Sequence, residues 1–220
     1  MNTNTSLIRI LAFGDSNTWG QVPGSDNALR YPSNIRWTGV LQSLLGENYE
    51  VIEEGLNGRT TNINSPDKSG KNGKEYLLPC LESQMPIDII ILALGTNDLK
   101  IKYNRTPEEI VKGSEECLEI CELESKDDNN NPSKIVMVSP EIIEEMKRER
   151  FGKTEVDFEG AKDKSIKLAP LLKELAIKHN AIFIDTTKEL LVSKIDGIHL
   201  EHDEHRKLAE LIFKVIKQII

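Results

Sequence analysis

Residues 7–20 read LIRILAFGDSNTWG, an apolar run broken only by Arg9 that stops at Gly14-Asp15-Ser16. The run is nearly continuous rather than alternating, which suits a strand buried on both faces, as in a parallel sheet covered by helices. Four further runs have the same character: Tyr49 to Glu53, Asp88 to Leu94, Lys134 to Ser139 and Ala181 to Asp185. Between them, Trp37 to Leu45, Tyr76 to Ser83, Pro107 to Ser125, Ala161 to His179 and Asp203 to Ile220 space their apolar residues at three and four, the period of an amphipathic helix. Pro107 suits a first helical turn, with Thr106 as cap and Glu109 three residues on. Strands alternating with helices predict an α/β fold with a five-stranded parallel sheet and right-handed crossovers. Residues 57–75 and 126–133, rich in Gly, Asn, Ser and Asp, read as long loops, the second as a mobile surface turn.

The chain has 220 residues, 28 basic and 36 acidic, for a net charge of −8. No linker or repeat divides it, so residues 1–220 read as one domain, long enough to bury roughly 70% of its unfolded surface. The acidic balance argues against nucleic acid or an anionic membrane as partner, since both reward clustered Lys and Arg. Three cysteines, Cys80, Cys117 and Cys121, make a disulfide framework improbable. The longest apolar stretch, Ile89 to Leu94, is far short of the roughly 20 residues of a membrane span, and the N-terminus lacks a signal-like pattern. A soluble, cytoplasmic protein is expected.

A parallel sheet places its ligands beyond the carboxyl ends of its strands, where Ser16 would lie. A lone Gly-Asp-Ser is equally a strand-to-helix turn with a capping residue. The fifth run is followed by Asp196-Gly197-Ile198-His199, a spacing that can bring the carboxylate onto Nδ1 of the imidazole and leave Nε2 to take a hydroxyl proton. After the third run comes Gly95-Thr96-Asn97-Asp98, whose Asn97 amide is a neutral donor suited to an oxyanion. After the second, Asn57-Gly58 offers the Gly58 N–H as another donor, though Asn-Gly also marks an ordinary turn. Singly these signals are weak. Together they put a serine nucleophile, an oxyanion pocket (Ser16, Gly58, Asn97) and an acid–base pair (Asp196, His199) at one edge of one sheet.

Competing readings are weaker. His199, His202 and His205 lie three apart and imitate a metal cluster, but a base role accounts for the first and an exposed helix start suits the others, so no metal and no cofactor are expected. Gly152-Lys153-Thr154 lacks the earlier glycine of a phosphate loop, Lys147 standing there. Of Trp19, Trp37, Phe151 and Phe158, Trp19 is the candidate for substrate binding, three residues beyond Ser16. Arg59 and Asp98 adjoin the proposed oxyanion donors and fit an ion pair holding the two loops.

The four blocks, taken in order, resemble those of the SGNH or GDSL-type hydrolases. GDSNTWG, RWTGVL (36–41), VIEEGLNGRTTN (51–62), LGTND (94–98), RTP (105–107), VSP (138–140) and DGIH are similar to the arylesterase and acyltransferase (perhydrolase) branch. That resemblance implies a flavodoxin-like three-layer α/β/α sandwich with strand order 2-1-3-4-5. It implies a serine ester hydrolase for small acyl or aryl esters, with acyl transfer to alcohols or peroxide and self-association as further expectations. Asn57-Gly58 replaces the Ser-Ala of that branch, and residues 144–160 are more heavily charged than in it, which leaves the acceptor open. The alternatives are a carbohydrate O-deacetylase on the same machinery and a non-catalytic flavodoxin-like binding module.

Overall fold

The computed structural model describes residues 7–25, 29–146, 148–150, 153–155 and 157–220, with 148–150 and 153–155 as backbone. Its strands are β1 (Ile8–Gly14), β2 (Tyr49–Gly55), β3 (Ile89–Ala93), β4 (Lys134–Val138), β5 (Arg148–Arg150), β6 (Lys153–Glu155) and β7 (Ile182–Ile184). Its helices are α1 (Ser16–Trp19), α2 (Trp37–Leu45), α3 (Gly73–Gln84), α4 (Pro107–Glu124), α5 (Ala161–Lys178) and α6 (His202–Ile219). β1, β2, β3, β4 and β7 form a parallel sheet in the order β2-β1-β3-β4-β7, the expected five strands in the expected order.

Successive strand residues point to opposite faces, and both faces are apolar. Leu11, Phe13, Ile90, Leu92 and Met137 face α3, α4 and α5. Ile10, Ala12, Ile91, Val136 and Ile184 face α2 and α6. The result is a three-layer α/β/α sandwich, and each fully buried Ile or Leu contributes roughly 1.5–3 kcal/mol. Trp37, 1% exposed, belongs to the α2/α6 side of this core and lines no substrate cleft.

Local chemistry sets the ends of the elements. The α4 start is a capping box: Thr106 Oγ1 accepts from the Glu109 N–H, and the Glu109 carboxylate accepts from the Thr106 N–H at 2.8 Å. α3 begins at Gly73, three residues before the expected Tyr76, because Asn72 Oδ1 accepts from the Glu75 N–H. Loop 126–133 closes on Asp127, whose Oδ1 accepts from the N–H groups of Asn129 and Asn131 at 2.9 and 2.8 Å. The antiparallel β5–β6 hairpin lies in the charged 144–160 segment, whose pattern gave no strand signal.

The chain leaves β1 toward β2 and then crosses to β3 on β1's other side. That reversal opens a crevice at the carboxyl end of β1, the place where open α/β sheets bind ligands.

Candidate active site

Ser16 opens the one-turn helix α1 directly beyond β1. Asp15 caps the turn by accepting from the Asn17 N–H at 3.0 Å, and Gly20, at φ +85°, ends it by donating to the Ser16 carbonyl. A Cβ on Gly55 would meet the Trp19 nitrogen at 2.2 Å, so a glycine at the end of β2 is what lets α1 lie down on the sheet. Ser16 is buried, and its N–H has no acceptor among the described residues.

The partner arrives from the other end of the chain. Beyond β7, the turn 196–199 is held by Gly197, at φ +73°, whose Cβ would lie 1.9 Å from the Glu144 carbonyl oxygen, so only glycine fits. Asp196 Oδ1 accepts from the N–H groups of Ile198 and His199, each at 3.0 Å. Its Oδ2 accepts from the Gly24 N–H at 2.9 Å and from His199 Nδ1 at 2.6 Å. With Nδ1 donating to a carboxylate, Nε2 keeps its lone pair, and it lies 3.0 Å from Ser16 Oγ. Burial alone would raise the Asp196 pKa, but the His199 hydrogen bond and charge, with the backbone donors, hold it well below the usual carboxylate range.

A residue that the sequence reading passed over ties the two halves together. Asn17 Oδ1 accepts from the Leu200 N–H at 3.1 Å, and its Nδ2 donates to Glu141 Oε2 at 3.2 Å and to the Ile198 carbonyl at 3.4 Å. Helix α1, with Ser16 at its start, is thereby clamped to the backbone on both sides of His199. Burial and the nearby Asp15 charge push Glu141 up to about 8, and burial raises Asp15 as well. The signal for Asn17 was its place beside Ser16; nothing in the sequence pointed to Glu141.

Gly58 follows Asn57 at φ +77°, and its N–H has no acceptor among the described residues. Asn97 starts a 3₁₀ turn (Asn97–Leu99), where its Nδ2 donates to the Arg59 carbonyl at 3.1 Å and makes only a long 3.5 Å contact with Asp15 Oδ2. Arg59 and Asp98 do not pair with each other, contrary to the sequence expectation. Arg59 donates to the carbonyls of Gly14 and Glu54 and lays its guanidinium 4.1 Å from the Phe13 ring. Asp98 instead takes Arg105 at 2.6 Å and both the N–H and hydroxyl of Thr61, and burial lifts it to about 6.

Ser16, Gly58, Asn97 and His199 open onto one cleft of about 630 Å³. Trp19 lines it, with the Arg30 guanidinium 5.2 Å over its ring, and so does Phe158; Phe151 lies outside the described residues. The other two histidines of the 199–205 stretch have separate surroundings. His202 is exposed against Asp203, as expected, but His205 is not on an exposed helix start: it is buried under α2, where its Nδ1 accepts from the Trp37 N–H and burial pushes its pKa down to about 3.

The sequence matches the model of the GDSL-like lipase/acylhydrolase family over residues 12–207. The chain belongs to that family. It is 35% identical to the aryl esterase of M. smegmatis, with a TM-score of 0.89, covering 97% of this chain and 100% of that one. It is 34% identical to a carbohydrate acetylesterase from Sinorhizobium meliloti, with the same TM-score and coverage of 97% and 100%. A second carbohydrate acetylesterase family member from that organism is 31% identical at a TM-score of 0.87, covering 96% and 98%. No curated protein sequence matches the chain. As a GDSL-family acylhydrolase the chain is a carboxylic ester hydrolase. Among its described residues no helix is long and apolar enough to cross a membrane.

Proposed function

We propose that Ser16, His199 and Asp196 are the catalytic residues of this hydrolase, within one domain spanning residues 1–220. The observation that carries the reading is the chain of contacts Ser16 Oγ to His199 Nε2 at 3.0 Å and His199 Nδ1 to Asp196 Oδ2 at 2.6 Å. Ser16 Oγ attacks the ester carbonyl as its proton passes to His199 Nε2, and Asp196 stabilises the imidazolium. The N–H groups of Ser16 and Gly58, with Asn97 Nδ2, receive the developing oxyanion. Collapse of the tetrahedral intermediate releases the alcohol, protonated by His199. Water, deprotonated by the same imidazole, then attacks the acyl-enzyme and frees the acid and Ser16.

The substrates are small acyl esters, acetyl in the first instance, of aryl or sugar alcohols. Support comes from the similarity to an aryl esterase and to carbohydrate acetylesterases. A largely polar cleft favours the sugar ester over a bare hydrocarbon, and Lys, Asp and Ser side chains at the mouth favour water over other acceptors. Three unpaired cysteines suit a reducing, cytoplasmic setting.

The test is Ser16→Ala, assayed on p-nitrophenyl acetate and by labelling with a fluorophosphonate, with acetate release from acetylated sugars alongside. Hydrolysis and labelling should vanish while the melting temperature stays within a few degrees, since removing one oxygen at the cleft wall disturbs little packing. Labelling that survives the substitution would remove Ser16 from the mechanism.

A further inference from the structure

The wall of the cleft carries a charge pattern opposite to that of the whole molecule. On a chain of net charge −8, four lysines, Lys68, Lys71, Lys100 and Lys102, line the cleft against two carboxylates, Asp67 and Asp157. Asp67 is engaged by Lys102 at 2.6 Å. Lys68 and Lys71 have no carboxylate partner among the described residues.

Lys71 is also placed rather than merely present. Its carbonyl accepts from the Thr60 N–H at 2.9 Å and from the Thr60 hydroxyl at 3.1 Å, fixing the loop 56–72 against itself. Its side-chain stem passes 3.9 Å from where a Cβ on Gly58 would stand, beside the amide proposed to hold the oxyanion. Partial burial lowers its pKa, and the like-charged neighbours Lys68 and Arg59 lower it further. Lys68 and Lys71, gathered at a concave site without matching acids among the described residues, contribute nothing to folding and focus positive potential on whatever enters. At about 630 Å³ the cleft is far larger than an acetyl group needs, so the alcohol portion of the ester occupies the region the lysines face.

We infer that the substrate is the acyl ester of an anionic alcohol, one bearing a carboxylate or a phosphate, and that Lys68 and Lys71 select for that charge. This rests on the proposed catalytic role of Ser16, Gly58 and Asn97. One unit charge pair at about 4 Å in water is worth roughly fivefold in binding, and two lysines acting on one anion are worth more.

The experiment compares kcat/KM for 3-acetoxybenzoate, neutral 3-acetoxybenzamide, 3-acetoxyphenyl phosphate and cationic 3-acetoxyphenyltrimethylammonium, each divided by its own hydroxide-catalysed rate constant. The expected order is anions above neutral above cation, with the anion-to-neutral ratio at roughly fivefold or more in dilute buffer and near one in about 0.5 M salt. The larger of the two anionic ratios identifies which anion the lysines are built for. Lys68→Gln and Lys71→Gln should each lower the ratio, and Lys71→Arg should retain it. Because the ratio is internal to each variant, a partly unfolded preparation does not distort it. Equal normalised rates for all four esters, or an anion preference untouched by salt and by both glutamines, would overturn the inference while leaving the esterase intact. Absence of Ser16-dependent turnover on every one of them would overturn both.

Discussion

Replacing Asn17 by alanine should damage turnover and stability together, in amounts that the structure sets. Leu200 is fully buried, and without Asn17 Oδ1 its N–H is left unsatisfied, at about 1–3 kcal/mol. The two Nδ2 bonds, at 3.2 and 3.4 Å, are long and add about 0.5 kcal/mol each. A total of roughly 2–4 kcal/mol in a chain of this size lowers the melting temperature by roughly 10 °C. Asn17 touches neither the ester nor Ser16 Oγ, so its catalytic effect acts through alignment. With α1 no longer fastened to Ile198 and Leu200, the Ser16 to His199 contact of 3.0 Å loosens, and a displacement of about 1 Å is worth up to ~100-fold in rate. The expected result, at a temperature where the variant is fully folded, is a kcat on p-nitrophenyl acetate lowered roughly 10- to 100-fold with KM within a factor of about two. Asn17→Asp separates position from packing. It keeps the acceptor for Leu200 but faces Glu141 Oε2 with a second carboxyl, a contact that holds only while a proton is shared. Its activity should therefore decline at alkaline pH more steeply than that of the wild type. Full kcat in Asn17→Ala alongside a lowered melting temperature would reduce the clamp to a packing contact.

Asp196→Asn should lower kcat by about 10³- to 10⁴-fold, because both carboxylate oxygens accept two N–H groups and either amide orientation sets an NH₂ against donors. Its loss of melting temperature should be largest at neutral pH and shrink as pH falls, since a depressed carboxylate pKa gives stability above its ordinary value that fades below it. Asn97→Ala should lower kcat by roughly 100-fold with little change in KM if the amide acts on the oxyanion; a change confined to KM would make it a ground-state contact. Glu141, pushed up to about 8, keeps its proton in the folded chain where the unfolded chain has lost it. Wild-type stability should thus fall with rising pH between about 4.5 and 8, by at most about 1.4 kcal/mol per unit, and denaturant melts of Glu141→Gln should lack that slope. Parallel slopes in the two proteins would show that Glu141 titrates normally.

The layers of the sheet were legible because burial on both faces writes itself into composition: the unbroken Ile89-Ile90-Ile91-Leu92 suits a strand covered on both sides, and all four are buried. The helix starts were legible where a capping residue announces them, as at Thr106, and less so at α3, where the residue inside the cap is Gly73. Ser16, Asn97, Asp196 and His199 were legible as motif residues whose types suit the chemistry. Contacts between loops were not. The pairing of Asp98 with Arg105 rather than Arg59, and of Asn17 with Glu141 across 124 residues, depends on how loops stack above the sheet, and no period or spacing encodes that. The lysines of the cleft are similarly scattered through 68–102 and converge only because β2 and β3 flank β1.

Beneath α1 the structure breaks the rule that buried positions are apolar. Asp15, Asp98 and Glu141 are all buried at the carboxyl end of the sheet, and burial raises each of them. Such groups weaken a core unless they are satisfied, and here each one holds a particular backbone segment. Asp15 caps the α1 turn that carries Ser16, Asp98 ties Thr61 and the loop after β2 to Arg105, and Glu141 reaches Asn17 from beyond the end of β4. Ser16 and His199 are 183 residues apart, and an apolar contact between their loops would tolerate sliding by an ångström or more. A directional hydrogen bond tolerates much less, since it weakens steeply away from linear geometry. The buried acids therefore trade folding free energy for the registration of three loops on one serine, and the stability lost there is what the apolar layers on both sides of the sheet must supply.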